Sequence, residues 1–107
     1  MKKILTSSTE EIPGKTIKEV LGIVRGNTVR SRNIGRDIGA AFKSMVGGEI
    51  KTYTEMISQA RDEAFNRMVN NAIDMGADAI VGMRFMTSTV MAGASEMLAF
   101  GTAVKLK

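Results

Sequence analysis

The chain contains no cysteine, no histidine and no tryptophan, and a single proline among its 107 residues. Without cysteine there is no disulfide framework, no thiolate nucleophile and no thiolate metal ligand. The absence of histidine removes the usual general base near neutral pH and the commonest ligand for transition metals. A reaction would have to run on carboxylates or lysines with displaced pKa values, or on a borrowed cofactor. Aromatic residues are scarce as well, four phenylalanines and one tyrosine. Nine methionines take up part of the filling role, because a flexible thioether suits irregular gaps and surfaces closed by another chain. No stretch approaches the roughly 18 apolar residues of a membrane span. The opening MKKIL has a two-residue apolar run, far short of the roughly 7–15 residues of a signal-peptide core. The expectation is a cytoplasmic protein with no membrane partner.

What is present suits one domain, residues 1–107, burying roughly 60–65% of its unfolded surface. An apolar fraction of 44% with 24% charged residues excludes disorder as the overall class. The net charge of +4 is uneven: residues 1–50 carry nine Lys/Arg against five Asp/Glu. Arg25, Arg30, Arg32, Arg36 and Lys43 lie close together there. Such a run is more often a solvated face or an interface rim than a nucleic-acid footprint, and it lacks interleaved aromatic platforms. Nucleic acid is therefore kept only as an alternative partner for the basic N-terminal half.

Along the chain, Ile4-Leu5 can begin a short strand, and the polar segment 6–15 with Pro13-Gly14 reads as a loop. Residues 16–25 are rich in β-branched side chains and show no helical stripe, which predicts a strand. Gly22 inside it suggests a bulge or a close backbone approach. Gly26-Asn27 supplies turn chemistry, after which Thr28–Arg30 could pair back. Asn33 is a plausible N-cap for a short helix over Ile34–Val46, with Ile34, Ile38, Phe42 and Met45 at helical spacing and Gly47-Gly48 as its stop. Gly35 and Gly39 leave one face of that helix bare, which suits close backbone packing.

The best-defined element is a long amphipathic helix over Lys51–Met75. Tyr53, Met56, Ile57, Ala60, Ala64, Met68, Ala72 and Met75 form one stripe, widened by Phe65, Val69 and Ile73. Gly76 can take the left-handed conformation that closes it. The chain then enters a strand over Ala79–Met86, connects through residues 87–95, and returns as Glu96–Lys105. In the returning strand Leu98, Phe100, Thr102 and Val104 point one way, and Met97, Ala99, Gly101 and Ala103 the other. Neither row is polar, whereas a sheet with one wet face alternates apolar and polar residues. Something must cover the row of small residues, and the candidates are the short helix and a second copy of the chain.

Chemistry is harder to place. Soft metals prefer thiolate and imidazole, and neither exists here. Asp62 and Glu63, Glu10-Glu11, or acidic residues gathered by symmetry could hold a hard cation, and Met83, Met86, Met91 and Met97 offer thioethers to Cu(I). Surface solvation and core filling explain the same residues more simply. The hydroxyls of Ser7-Ser8-Thr9 and Thr87-Ser88-Thr89 have no histidine to activate them. No enzyme and no resident cofactor is expected.

Arg36-Asp37, Val46-Gly47-Gly48, Tyr53, Ala60-Arg61, Ala64, Gly76-Ala77-Asp78-Ala79-Ile80-Val81-Gly82 and the terminal Gly101-Thr102-Ala103-Val104-Lys105 together resemble the YbjQ-like family of small bacterial proteins. The likeness runs from about Lys15 to Lys105. It implies an α+β subunit that closes into a homopentamer, with extra short strands joining neighbours. The family carries a heavy-metal-binding label but no established activity or catalytic residue. The expected fold is thus α+β, a small mixed or antiparallel sheet with one long and one short helix, assembling as a ring-shaped homo-oligomer. Its expected role is a non-enzymatic scaffold or binding module, open to a small ligand or to a metal ion at subunit seams. Structural and interface candidates are Gly35, Arg36, Asp37, Gly39, Gly76, Asp78, Gly82 and Gly101.

Overall fold

A computed structural model describes residues 4–30, 51–91 and 94–107, the first three helical residues by backbone alone. In chain order the elements are β1 (Leu5–Thr6), β2 (Ile17–Arg30), α1 (Lys51–Asp74), β3 (Ala79–Met91) and β4 (Ala94–Leu106). The strands form one sheet in the order β1-β3-β4-β2. β1 runs parallel to β3, and the other two pairings are antiparallel. The α+β class with a mixed sheet is therefore as expected. The short helix expected over Ile34–Val46 lies outside the described residues.

α1 lies on one face of the sheet, and its small residues set the distance. Ala60, Ala64, Met68 and Ala72 recur every fourth residue and are buried, so one stripe of the helix meets the strands with little between them. A Cβ on Gly26 would stand 2.2 Å from the Met68 backbone nitrogen and 2.4 Å from the Ala64 carbonyl oxygen. Only glycine fits there. The next alternate residues of β2 match the preceding helical turn. Buried Thr28 donates its hydroxyl to the Ala60 carbonyl at 3.0 Å, and Arg30 pairs with Glu63 at 2.8 Å. Gly26-Asn27 is consequently not a turn: β2 passes straight through it, and the glycine serves packing rather than reversal. Similarly, the connection expected over residues 87–95 is mostly strand, since Thr87, Thr89 and Val90 suit a pleated ladder.

Gly76 closes α1 with φ of +86°. Its N–H donates to the Ile73 carbonyl, and that of Ala77 to the Ala72 carbonyl, the paired bonds of a Schellman termination. Gly22, at φ +134°, falls where the β2–β4 register slips, so the expected bulge is present. Two cores result. The larger lies between α1 and the sheet and includes Val24, Met68, Ile80, Met83, Met97, Ala99 and Ala103. The smaller joins Ala79, Val81 and Val104 on the opposite face, under Ile12, Ile17 and Leu106.

That division corrects the coverage expected for β4. The row Met97, Ala99, Gly101 and Ala103 is roofed by α1 of the same chain, so it needs neither the short helix nor a second copy. The physical reason is size: only a row of small side chains lets a helix approach so closely. The larger residues are left on the far side.

Candidate functional site

Among the described residues, the far side of the sheet is the less covered of its two faces. Loop residues 7–16 cover only its base. Farther along, beyond Val81, the described residues leave much of the face open along the rows that the register lines up across β2, β4 and β3. Ile23, Thr102 and Val81 share one row; Arg25, Phe100 and Arg84 the next; Asn27, Leu98 and Met86 the third. Adjacent strands stand about 4.8 Å apart, so each row is a contiguous strip. Ile23 is 79% exposed, Met86 58% and Val29 53%, while Leu98 and Phe100 are half-buried. The polar groups on this face are anchored at its sides. The Arg84 guanidinium donates to the Ser8 carbonyl at 2.7 Å, and the Asn27 amide donates to Glu96 at 3.0 Å.

Toward the β3–β4 tip the sheet becomes an arm of three strands, with β2 alongside β4 as far as Arg30 opposite Ser95. There Phe85, Met86, Val90 and Met91 are exposed. β1 pairs with β3 only at Ala79 and Ile80, and backbone bonds from Gly82 and Met83 to Thr9 and Ser7 extend that cover by two residues. Beyond Arg84 the outer edge of β3 has no strand partner among the described residues.

The opposite edge of the sheet is treated differently. Asn71 donates its side-chain amide to the Arg25 carbonyl at 2.8 Å, and Arg67 donates to the Asn27 carbonyl at 2.7 Å. Both side chains come from α1 and close that strand edge. Glu63 joins them, taking one guanidinium from Arg30 and another from Arg67. The hydrogen bond from Arg30 holds the Glu63 carboxyl below its ordinary value; desolvation opposes this, and the charges of Arg67 and Arg30 reinforce it.

The candidates named from sequence separate into two groups. Gly76, Asp78, Gly82 and Gly101 sit together at the base of the sheet and serve the fold. Asp78 accepts from the Leu106 amide at 3.0 Å. Gly82, at φ +62°, lies in the β3 bulge, and a Cβ on Gly101 would meet Ile80 at 2.7 Å. Gly35, Arg36, Asp37 and Gly39 lie outside the described residues. The sequence named Phe100 only as part of an apolar row and Arg25 only within the basic run, because the long-range register alone brings Arg25 and Arg84 beside Phe100.

The metal candidates do not converge in the subunit. Glu10, Glu11 and Asp62 are exposed, and Glu63 is engaged by arginines. Among the described residues no three acidic side chains are placed to hold one ion. Met83 and Met97 are buried under α1, whereas Met86 faces the other side and Met91 is exposed on the arm. No helix among the described residues is long and apolar enough to cross a membrane.

Residues 4–107 match a family model, YbjQ, described as "Putative heavy-metal-binding". A UPF0145 protein of Methanoculleus marisnigri is 59% identical over 103 residues, covering 96% of each chain. One from Colwellia psychrerythraea is 59% identical over 104 residues, 97% of this chain and 99% of its own. One from Thermotoga maritima is 54% identical over 104 residues, 97% and 98% of the two chains. Such relatives extend beyond bacteria. Among solved structures, a protein of unknown function from the DUF74 family of Pediococcus pentosaceus superposes with a TM-score of 0.65 at 18% identity, covering 97% of this chain and 98% of that one. That likeness concerns the fold.

Proposed function

This chain belongs to the YbjQ-like family, and from that premise we propose that it is a homo-oligomeric scaffold or binding module whose copies close over the open face of the sheet. The observation carrying the proposal is the face itself: Ile23, Val29 and Met86 are more than half exposed in the subunit, on the same face as half-buried Leu98 and Phe100. Burying such side chains fully is worth roughly 1.5–3 kcal/mol each. A closed ring of identical subunits, five in number as the resemblance implies, supplies that cover without a second gene product. The arginines at the flanks suit an interface, because a guanidinium packs over an aromatic ring and still reaches carbonyls or carboxylates on a neighbour.

Heavy-metal binding is not part of the proposal. The family description names it, yet the chain has no cysteine or histidine, and its thioethers are divided between the two faces of the sheet. The donor set does not fit a soft ion. Likewise no reaction is proposed.

Light scattering on the eluting particle tests the assembly. A mass several times the 11.5 kDa subunit, constant over a tenfold dilution in the micromolar range, is the expected result. A folded particle of one subunit mass at those concentrations would overturn it.

A further inference from the structure

Where α1 lies beside the edge of β2, the helix shuts that edge to another strand through its carbonyls alone. Asn71 takes the Arg25 carbonyl and Arg67 the Asn27 carbonyl. In an antiparallel pair the N–H and C=O of one residue point the same way, so the Arg25 and Asn27 N–H groups also face away from β4, beside the α1 side chains. Among the described residues no acceptor reaches either of them. They open into a notch of about 420 Å³, bounded by Arg25, Gly26 and Asn27 on the strand and by Arg67, Asn70 and Asn71 on the helix.

Arg25 and Asn27 enter the notch by main chain only. Gly26 and Thr28 face α1, so by alternation the Arg25 and Asn27 side chains lie on the other face of the sheet, where Asn27 donates to Glu96. The helix supplies the side chains. A guanidinium has five N–H groups, and the Arg67 bonds to the Asn27 carbonyl and to Glu63 leave others over. Asn71 uses one amide hydrogen on Arg25, and exposed Asn70 uses neither of its own among the described residues. With both carbonyls occupied, what remains is mostly donors, one of them charged, and such a set matches an oxyanion. Glu63 does not cancel it, because Arg30 and Arg67 share that carboxylate and leave one positive charge in excess. The Asn70 and Asn71 amide oxygens add acceptors suited to hydroxyl groups.

We propose that this notch binds the phosphoryl group of a small hydroxylated phosphate monoester, held by Arg67, by the Asn70 and Asn71 amides and by the outward N–H groups of Arg25 and Asn27. A tetrahedral phosphate accepts from strand and helix at once, whereas a planar carboxylate is satisfied by the fork of one arginine. The volume suits a small molecule. Glu63 and Asp74, each one helical turn from Arg67 or Asn70, repel a polyanion such as nucleic acid. The notch lies on the helix side of the sheet, away from the open face, so the site does not depend on the oligomeric reading.

Backbone amide NMR on the wild-type particle, titrated with glycerol phosphate or inorganic phosphate at constant ionic strength, reads the site directly. The Arg25 and Asn27 amides should move together and saturate with a dissociation constant of about 1 mM or below, and chloride should leave them in place. Acetate should bind about tenfold more weakly than phosphate. Glu63→Gln removes the nearest negative charge and should tighten phosphate binding about threefold. Asn70→Ala, at a side chain that bonds no described residue, should keep the fold and weaken binding about threefold. Shifts that rise without saturating, that chloride reproduces, or that both variants leave unchanged overturn the proposal, as does a response to duplex DNA in place of the small phosphates. The subunit mass is read separately, so failure here and failure of the oligomeric reading are distinct results.

Discussion

Replacing Gly26 by alanine is the most direct test of how α1 is seated. The new Cβ would stand 2.2 Å from the Met68 nitrogen, 2.4 Å from the Ala64 oxygen and 2.8 Å from the Arg67 carbonyl carbon, against 3.4 Å or more in ordinary contact. All three atoms belong to helix backbone, so no side-chain rotation relieves the overlap. α1 must retreat by about 1 Å, and a gap of that order forfeits about a quarter to a half of the dispersion between the facing surfaces. The loss falls on Ala60, Ala64, Met68 and Ala72 at once, and it stretches the Thr28–Ala60 bond. Overpacking in a core costs about 1–3 kcal/mol where side chains can adjust; with backbone on the far side, about 3–5 kcal/mol is expected. That is a large share of the roughly 5–15 kcal/mol that holds such a domain together, and it lowers the melting midpoint by about 12–20 °C. The assay is thermal and urea unfolding followed by far-UV circular dichroism at one fixed protein concentration, because assembly makes stability concentration-dependent. Gly14→Ala is the control. Gly14 has φ of +80° with no atom near its missing Cβ, so it reports only backbone strain, about 1 kcal/mol. If Gly26→Ala unfolds within about 1 kcal/mol of wild type, the close helix–strand seating is refuted.

Ile23→Glu places a carboxylate in the middle of the open face without touching the larger core. Gel filtration should show smaller particles, with the helical circular dichroism of the subunit retained; an unchanged mass would argue against the face as interface. Glu63→Gln tests the arginine seam. Because Glu63 titrates below its ordinary value when folded, its contribution to stability is present above the unfolded carboxylate range and fades as pH falls through the lower folded value. The variant should therefore lose stability relative to wild type at neutral pH and converge with it in acid, and salt should shrink the difference at this exposed site. Equal unfolding midpoints at pH 7 and low ionic strength would remove the seam from the account. Finally, chelator-treated protein dialysed against zinc, cadmium or copper and analysed by elemental mass spectrometry should carry well under one ion per subunit. Stoichiometric retention of any of them would show that thioethers or carboxylates gather across subunits after all.

Much of this architecture could be read locally. The stripe of α1, its glycine stop and the bulge at Gly22 depend on residues a few positions apart, where periodicity and backbone freedom decide the outcome. The lack of imidazole and thiolate is equally plain in the sequence, and it limits the chemistry whatever the fold. Gly26-Asn27 misled because its composition permits a turn without requiring one. In the folded chain the glycine is needed by a helix some forty residues later in the sequence.

Which row of β4 receives that helix, which arginines flank Phe100 and which strand edge stays open are of another kind. Each depends on the pairing of β2 with β4, segments roughly seventy residues apart, and slipping one strand by one residue would exchange every inward side chain for an outward one. The amino-acid order therefore determined that this sheet has more apolar surface than one helix can cover. Only the tertiary register decided where the uncovered surface lies, because side-chain direction in a strand is settled by its neighbour rather than by itself.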